Sequence, residues 1–163
     1  MARTRKTTIT LPSKRYADQL YAGAMEQYLA YVVITEDPMA RHDFLAVKHG
    51  LLCQALELAL KSLLVDTDNY NEEDLIIRFG HDLEKVAQEV KRLYDPIPEL
   101  GTCMGWIQIL NPDYKSRGYL YPINNGSFKG TDHKQFAKAV EAMVHLAARS
   151  IHSYKYPDKP LPA

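Results

Sequence analysis

The chain has 163 residues, 46% of them hydrophobic and 25% charged, and its 20 basic and 20 acidic side chains leave no formal net charge. That length suits one domain able to bury a core without staples, and the composition excludes collagen-like and wholly disordered chains. Zero net charge removes whole-molecule attraction to nucleic acid or an anionic membrane, so any such binding needs a local patch.

Cys53 and Cys103 are the two cysteines. Each sits in an apolar helical pattern, which suits reduced, buried thiols in a cytoplasmic protein better than a disulfide framework. No paired cysteines are available for zinc. The start, MARTRKTTIT, is basic without an apolar run behind it, so neither a secretory signal nor a membrane anchor is expected there. No stretch of the chain approaches a membrane span.

Residues 1–12 are expected to form a flexible basic arm closed by Pro12. Ser13 can cap a helix running to about Ile34, with Ala17, Tyr21, Ala24, Tyr28 and Tyr31 on one stripe. EDP at 36–38 breaks it. The next helix, from about Met39 to Leu64, is the most apolar element and is expected to be central. Its polar residues Gln54, Glu57 and Lys61 fall within about sixty degrees on a helical wheel. DTDNYN reads as a turn, and EEDLIIRF as a short helix ending at Gly80.

DLEKVAQEVKRLY forms a further amphipathic helix with Leu83, Val86, Val90 and Leu93 inward. Asp95 and Pro96 read as the cap and first position of the next, which passes Leu100, Cys103, Met104 and Ile107 and ends near Leu110. Residues 111–130 show neither helical nor strand periodicity and are expected to be a long loop. The last helix starts near Asp132, with Phe136, Val140, Met143, Ala147 and Ile151 on its stripe, and ends near His152 before a Pro-rich tail over 154–163. With no convincing strand pair, the expectation is an all-α, up-and-down four- to five-helix bundle over residues 13–153, with one short extra helix and a long loop before the last.

RFGHDLEKV at 78–86 holds the most suggestive polar pair. As plain structure, Gly80 ends one helix in a left-handed conformation and Asp82 caps the next, with His81 in the joint. Functionally, an imidazole beside a carboxylate suits proton transfer or phosphate binding, but it needs a third group from elsewhere. Glu57 and Lys61, four residues apart in the favourable order, can supply it or can simply be a solvated stripe. In the long loop, Tyr114, Tyr119, Tyr121 and Phe128 alternate with Lys115, Arg117 and Lys129. That pattern suits stacking on a nucleotide or RNA, or packing on the core. Paired Glu-x-x-His motifs, a Gly-x-Ser-x-Gly turn and phosphate-binding Gly-rich loops are all absent, so no metal or cofactor is expected.

QALELALKSLL at 54–64, RFGHDLEKV, and YLYP before a last amphipathic helix together resemble the HEPN-like helical bundles of bacteria and archaea, over about residues 15–152. The resemblance implies an up-and-down bundle, commonly a homodimer, often encoded beside a nucleotidyltransferase partner or in defence and toxin-antitoxin systems. Some members are metal-independent ribonucleases that use an arginine followed after four to six residues by a histidine. Here Arg41 precedes His49 by too many residues, and Arg78 to His81 and Arg149 to His152 are too close. The implied function is therefore a non-enzymatic binding or interaction module for a nucleotide or RNA, with a divergent ribonuclease as the alternative and a purely structural cluster as a second. Glu57, Lys61, His81, Asp82, Arg117 and Tyr121 are the ligand-binding candidates, Lys61 and His81 as phosphate donors and Tyr121 as a stacking partner. In an enzyme, His81 would be the base, with Arg78 or Lys61 stabilising phosphate charge.

Overall fold

The structure, a computed structural model, describes residues 13–37, 44–94, 96–117 and 132–155. Among them every regular element is helical: α1 Ser13–Glu36, α2 Leu45–Asp66, α3 Glu72–Asp74 leading into a π-helical turn Leu75–Phe79, α4 Leu83–Tyr94, α5 Pro98–Lys115 and α6 His133–Lys155. The expected basic arm, the tail from residue 156, the start of the second helix before Phe44, and residues 118–131, Tyr121 included, lie outside the described residues.

α2 is the hub, touching α1, α4, α5 and α6. Leu52, Cys53, Leu56, Leu60, Leu63 and Leu64 bury their side chains on it. The inward stripes read from sequence supply the rest of the core: Ala17, Ala24 and Tyr31 from α1, Leu83, Val86 and Val90 from α4, Leu100, Cys103 and Ile107 from α5, and Phe136, Val140, Met143 and Ala147 from α6.

Side-chain contacts fix the helix directions. Ser150 on α6 bonds Asp66 at the end of α2 (2.8 Å), while His133 at the start of α6 lies near His49 early in α2, so these helices run the same way. Tyr94 at the end of α4 donates to Leu63 O (2.9 Å), which makes α4 parallel to α2 as well. α1 and α5 run oppositely: Gly23 abuts Leu58 while Tyr31, later in α1, reaches His133 at the start of α6 (2.8 Å), and Arg149 near the end of α6 meets Glu99 at the start of α5 (3.0 Å). Residues 67–82 are the return limb between α2 and α4, pinned by the Tyr70 hydroxyl on Glu89 and by the Tyr70 ring on Phe79.

Helix ends differ from the sequence reading: α1, α2 and α6 run two to three residues past their expected ends, to Glu36, Asp66 and Lys155, so the tail does not begin at residue 154, and α5 differs at both ends. α5 starts at Pro98, with Ile97 at its N-cap, and not at Asp95–Pro96. It also runs through Pro112 to Lys115, so residues 111–115 are helix and not loop. A proline in the final turn removes one N–H bond. That turn nevertheless closes, with Ser116 N on Pro112 O (3.3 Å), because Asn111 and Tyr114 are buried and anchored to other helices.

The segment read as a short helix is α-helical only over Glu72–Asp74, which an Asn71–Asp74 capping box starts. It then widens to π geometry, Gly80 N donating to Leu75 O (3.1 Å). Gly80 ends it at φ 52°, ψ −123°, a mirror-β conformation open only to glycine.

Candidate functional site

The Glu57 carboxylate, mid-way along α2 and only 5% exposed, collects three donors from three parts of the chain. Lys61 Nζ donates to Oε1 (2.6 Å), and the Tyr114 hydroxyl (2.5 Å) and His81 Nδ1 (3.1 Å) donate to Oε2. Lys61 spends a second N–H on Gly80 O (2.6 Å). The helical spacing of Glu57 and Lys61 puts both on the side of α2 that faces the return limb. The glycine-only turn at Gly80 brings its carbonyl back to that side, and α5 extends far enough to deliver Tyr114.

A carboxylate only accepts, so His81 carries a proton on Nδ1, and its other ring nitrogen, Nε2, is turned away from Glu57. The side chain is 49% exposed, against 10% for Lys61. Its ring meets Tyr114 edge-on at 6.3 Å. A buried carboxylate thus orients the imidazole of a half-exposed side chain, an arrangement suited to proton transfer or to binding an anion.

Asp82 stands apart from this cluster, although it is the next residue. It caps α4 through Lys85 N (3.3 Å) and accepts from Asn111 Nδ2 (3.0 Å) and Lys115 Nζ (3.1 Å), while Asn111 Oδ1 takes Leu83 N (2.9 Å). Burial pushes the Asp82 carboxyl up, but these donors outweigh it and hold the group below the usual carboxylate range. Lys115 and Arg117 are exposed at the end of α5, Arg117 with a left-handed φ of 60°. Arg78 lies over the rings of Tyr70 (5.2 Å) and Phe79 (5.9 Å), not on the Glu57 cluster.

The structure thus brings Glu57, Lys61 and His81 together and places Asp82, Arg117 and Arg78 elsewhere. It adds Tyr114, expected in the loop, and Asn111. Both continue the α5 stripe of Ile107 and Leu110, a periodic signal that Pro112 masked.

Among the described residues no group of three or more His, Cys, Asp or Glu side chains is placed to hold a metal ion, and no helix is long and apolar enough to cross a membrane. A groove of about 560 Å³ between α5 and α6, lined by Pro98, Thr102, Lys138 and Ala139, shares no residue with the Glu57 cluster. The fold and cluster define an all-helical bundle with a carboxylate-centred polar site on its central helix. No protein-family model, curated protein or solved structure matches the chain.

Proposed function

We propose that the chain is a HEPN-like, non-enzymatic binding module that takes a phosphate-bearing ligand, a nucleotide or the end of an RNA, on the exposed edge of His81. The observation that carries this reading is the bond from His81 Nδ1 to the buried Glu57, made while the His81 side chain stays 49% exposed. Orientation by a buried group lowers the cost of ordering the ring when ligand arrives. Lys115, paired with the neighbouring Asp82, and Arg117 are exposed cations where α5 ends, although the whole chain is neutral. Lys61 acts as a strut and not as a phosphate donor, since two of its three N–H groups are already committed.

Titration with nucleoside mono-, di- and triphosphates and with short 5′-phosphorylated RNA, followed by thermal unfolding, tests the reading. A ligand that binds the native state raises the midpoint in proportion to the logarithm of its concentration. His81→Ala removes that rise. A rise of equal size in His81→Ala places the ligand elsewhere and sinks the assignment.

A second reading, a divergent metal-independent ribonuclease, draws on the same bond, because a carboxylate-held imidazole is the usual form of a general base. Labelled RNA incubated with the protein and a chelator is then cleaved by the native chain and spared by His81→Ala. Intact RNA in both reactions removes this reading.

A further inference from the structure

The groove between α5 and α6 holds about 560 Å³, within the range of small-molecule sites, and it shares no residue with the Glu57 cluster. Contacts between the two helices fix its walls. Cys103 Sγ donates to Ala139 O (3.4 Å), Trp106 and Phe136 pack ring on ring at 5.7 Å, and Arg149 holds Glu99 at 3.0 Å. A groove built before its ligand arrives needs little further ordering to bind one.

Its lining specifies the ligand. Pro98, Ala139 and Ala142 are apolar and short, and α5 carries no charged residue from Leu100 to Pro112. Of the two ionic side chains that line the groove, Glu99 is paired with Arg149, whereas Lys138 is exposed and bonds no described residue. The side chains of Thr102 and Gln135 likewise bond no described residue, and they add a hydroxyl and an amide to the rim. From this we propose that the groove is a second binding site, for a small organic acid of one negative charge. Its apolar body lies on Pro98, Ala139 and Ala142 while its head meets Lys138.

Length and charge argue against larger occupants. The lining spans Pro98 to Thr102 on α5 and Gln135 to Ala142 on α6, about 6 Å and about 10 Å of helix axis. That is shorter than the about three to four turns of an ordinary docked helix. A nucleic-acid strand needs a row of cations along its phosphates, and the lining offers Lys138 alone.

Fluorescence titration with anilinonaphthalene sulfonate, an aromatic monoanion, and with its neutral counterpart phenylnaphthylamine tests the site. The native protein should bind both dyes saturably, the anion about fivefold more tightly, as suits an exposed ion pair. Lys138→Glu removes that preference and leaves the neutral dye unchanged. Ala142→Leu fills the groove and weakens both dyes, with unchanged helical circular dichroism. Val33→Glu, at a 67% exposed position on α1, changes neither. No saturable binding, equal affinity for the two dyes, or a preference for the anion that survives Lys138→Glu overturns the proposal. Binding that is lost in Val33→Glu or in His81→Ala places the dye elsewhere and overturns it as well. The phosphate titrations at His81 stand or fall separately.

Discussion

The Lys61 ammonium and the Gly80 carbonyl are joined at 2.6 Å across the return limb, so the end of the π-turn is tied to the middle of the central helix. Gly80 is what makes that tie reachable, because its φ of 52° and ψ of −123° suit no side-chain-bearing residue. A Cβ at this position meets no close neighbour, the nearest atom being Ile76 O at 3.9 Å. The cost of Gly80→Ala is therefore backbone strain and not collision, about 1–3 kcal/mol. Urea unfolding should show a loss in that range, with the thermal midpoint lower by about 2–4 °C per kcal/mol. An unchanged midpoint would mean the turn relaxes without strain.

Glu57 and Lys61 are both nearly sealed from solvent, so removing one strands the other. Lys61→Met leaves a buried carboxylate with the Tyr114 and His81 donors alone, and a loss of about 3–5 kcal/mol is expected. The double variant Glu57→Leu/Lys61→Met removes both charges and should lose less than Lys61→Met alone. A double-mutant cycle in urea measures the difference, and additive losses would show that the pair is not coupled.

Tyr114→Phe deletes one hydroxyl without opening a cavity. Its 2.5 Å bond to the Glu57 carboxylate is of the charge-assisted kind, so the variant should lose about 1.5–3 kcal/mol. Because His81 shares the same carboxylate oxygen, its ring gains freedom. Nitrogen chemical shifts of the imidazole should then move from a single Nδ1–H form towards a tautomer mixture. Shifts identical to the native protein would show that Glu57 holds the ring without help from Tyr114.

The helices were legible in the sequence wherever apolar period and burial agree. Phe136, Val140, Met143, Ala147 and Ile151 lie on one stripe, and all are buried. The boundaries of α5 were not, since local chemistry favoured Asp95–Pro96 as its start and the loss of period after Leu110 favoured an end there, whereas long-range anchors at Asn111 and Tyr114 carry the helix on. The π-turn has the same composition as an α-helix. Its extra residue per turn accompanies a bond from Lys61 that no local pattern encodes. Of the site, Glu57, Lys61 and His81 were nameable as polar residues in suggestive places. Their convergence was not, because residues 57, 81 and 114 meet only through the packing of α2, α5 and the joint before α4.

At the opposite end of α2, His49 and His133 lie 6.3 Å apart, with the Tyr31 hydroxyl on His133 Nδ1 (2.8 Å) and with Lys48, Asp132 and Lys134 acting on His133. Burial chiefly lowers both imidazoles below their ordinary value of 6.5. His133 and the Leu45 carbonyl pull His49 in opposite directions, and Lys48 and Lys134 oppose Asp132 at His133. A lowered base binds fewer protons folded than unfolded, so the stability it contributes is complete above about pH 6.5 and is lost as pH falls below that value towards the folded-state pKa. Urea midpoints should drop between pH 7 and pH 5, and His49→Phe should reduce the slope. Carboxylates act lower on the scale. Glu89, held at about 2 chiefly by Arg92 and Tyr70, gives up its contribution only below its ordinary 4.5. A flat profile between pH 7 and pH 5 would contradict the assignment of the two histidines.

Cys53 and Cys103 test the core directly. Neither exposes any surface, and burial pushes both thiols up, Cys103 to about 12. Cys103 also donates to the Ala139 carbonyl at 3.4 Å, which joins α5 to α6. The reactive species is the thiolate, so both burial and the raised pKa suppress reaction with an aromatic disulfide reagent. The native protein should therefore release almost no chromophore over minutes, and two equivalents, one per cysteine, should appear once urea unfolds it. Reaction at intermediate urea measures opening of the α2 or α5 seam, and Cys53→Ala and Cys103→Ala assign each phase. Rapid labelling of either cysteine in the native protein, without urea, would mean that its helix is not packed in the core.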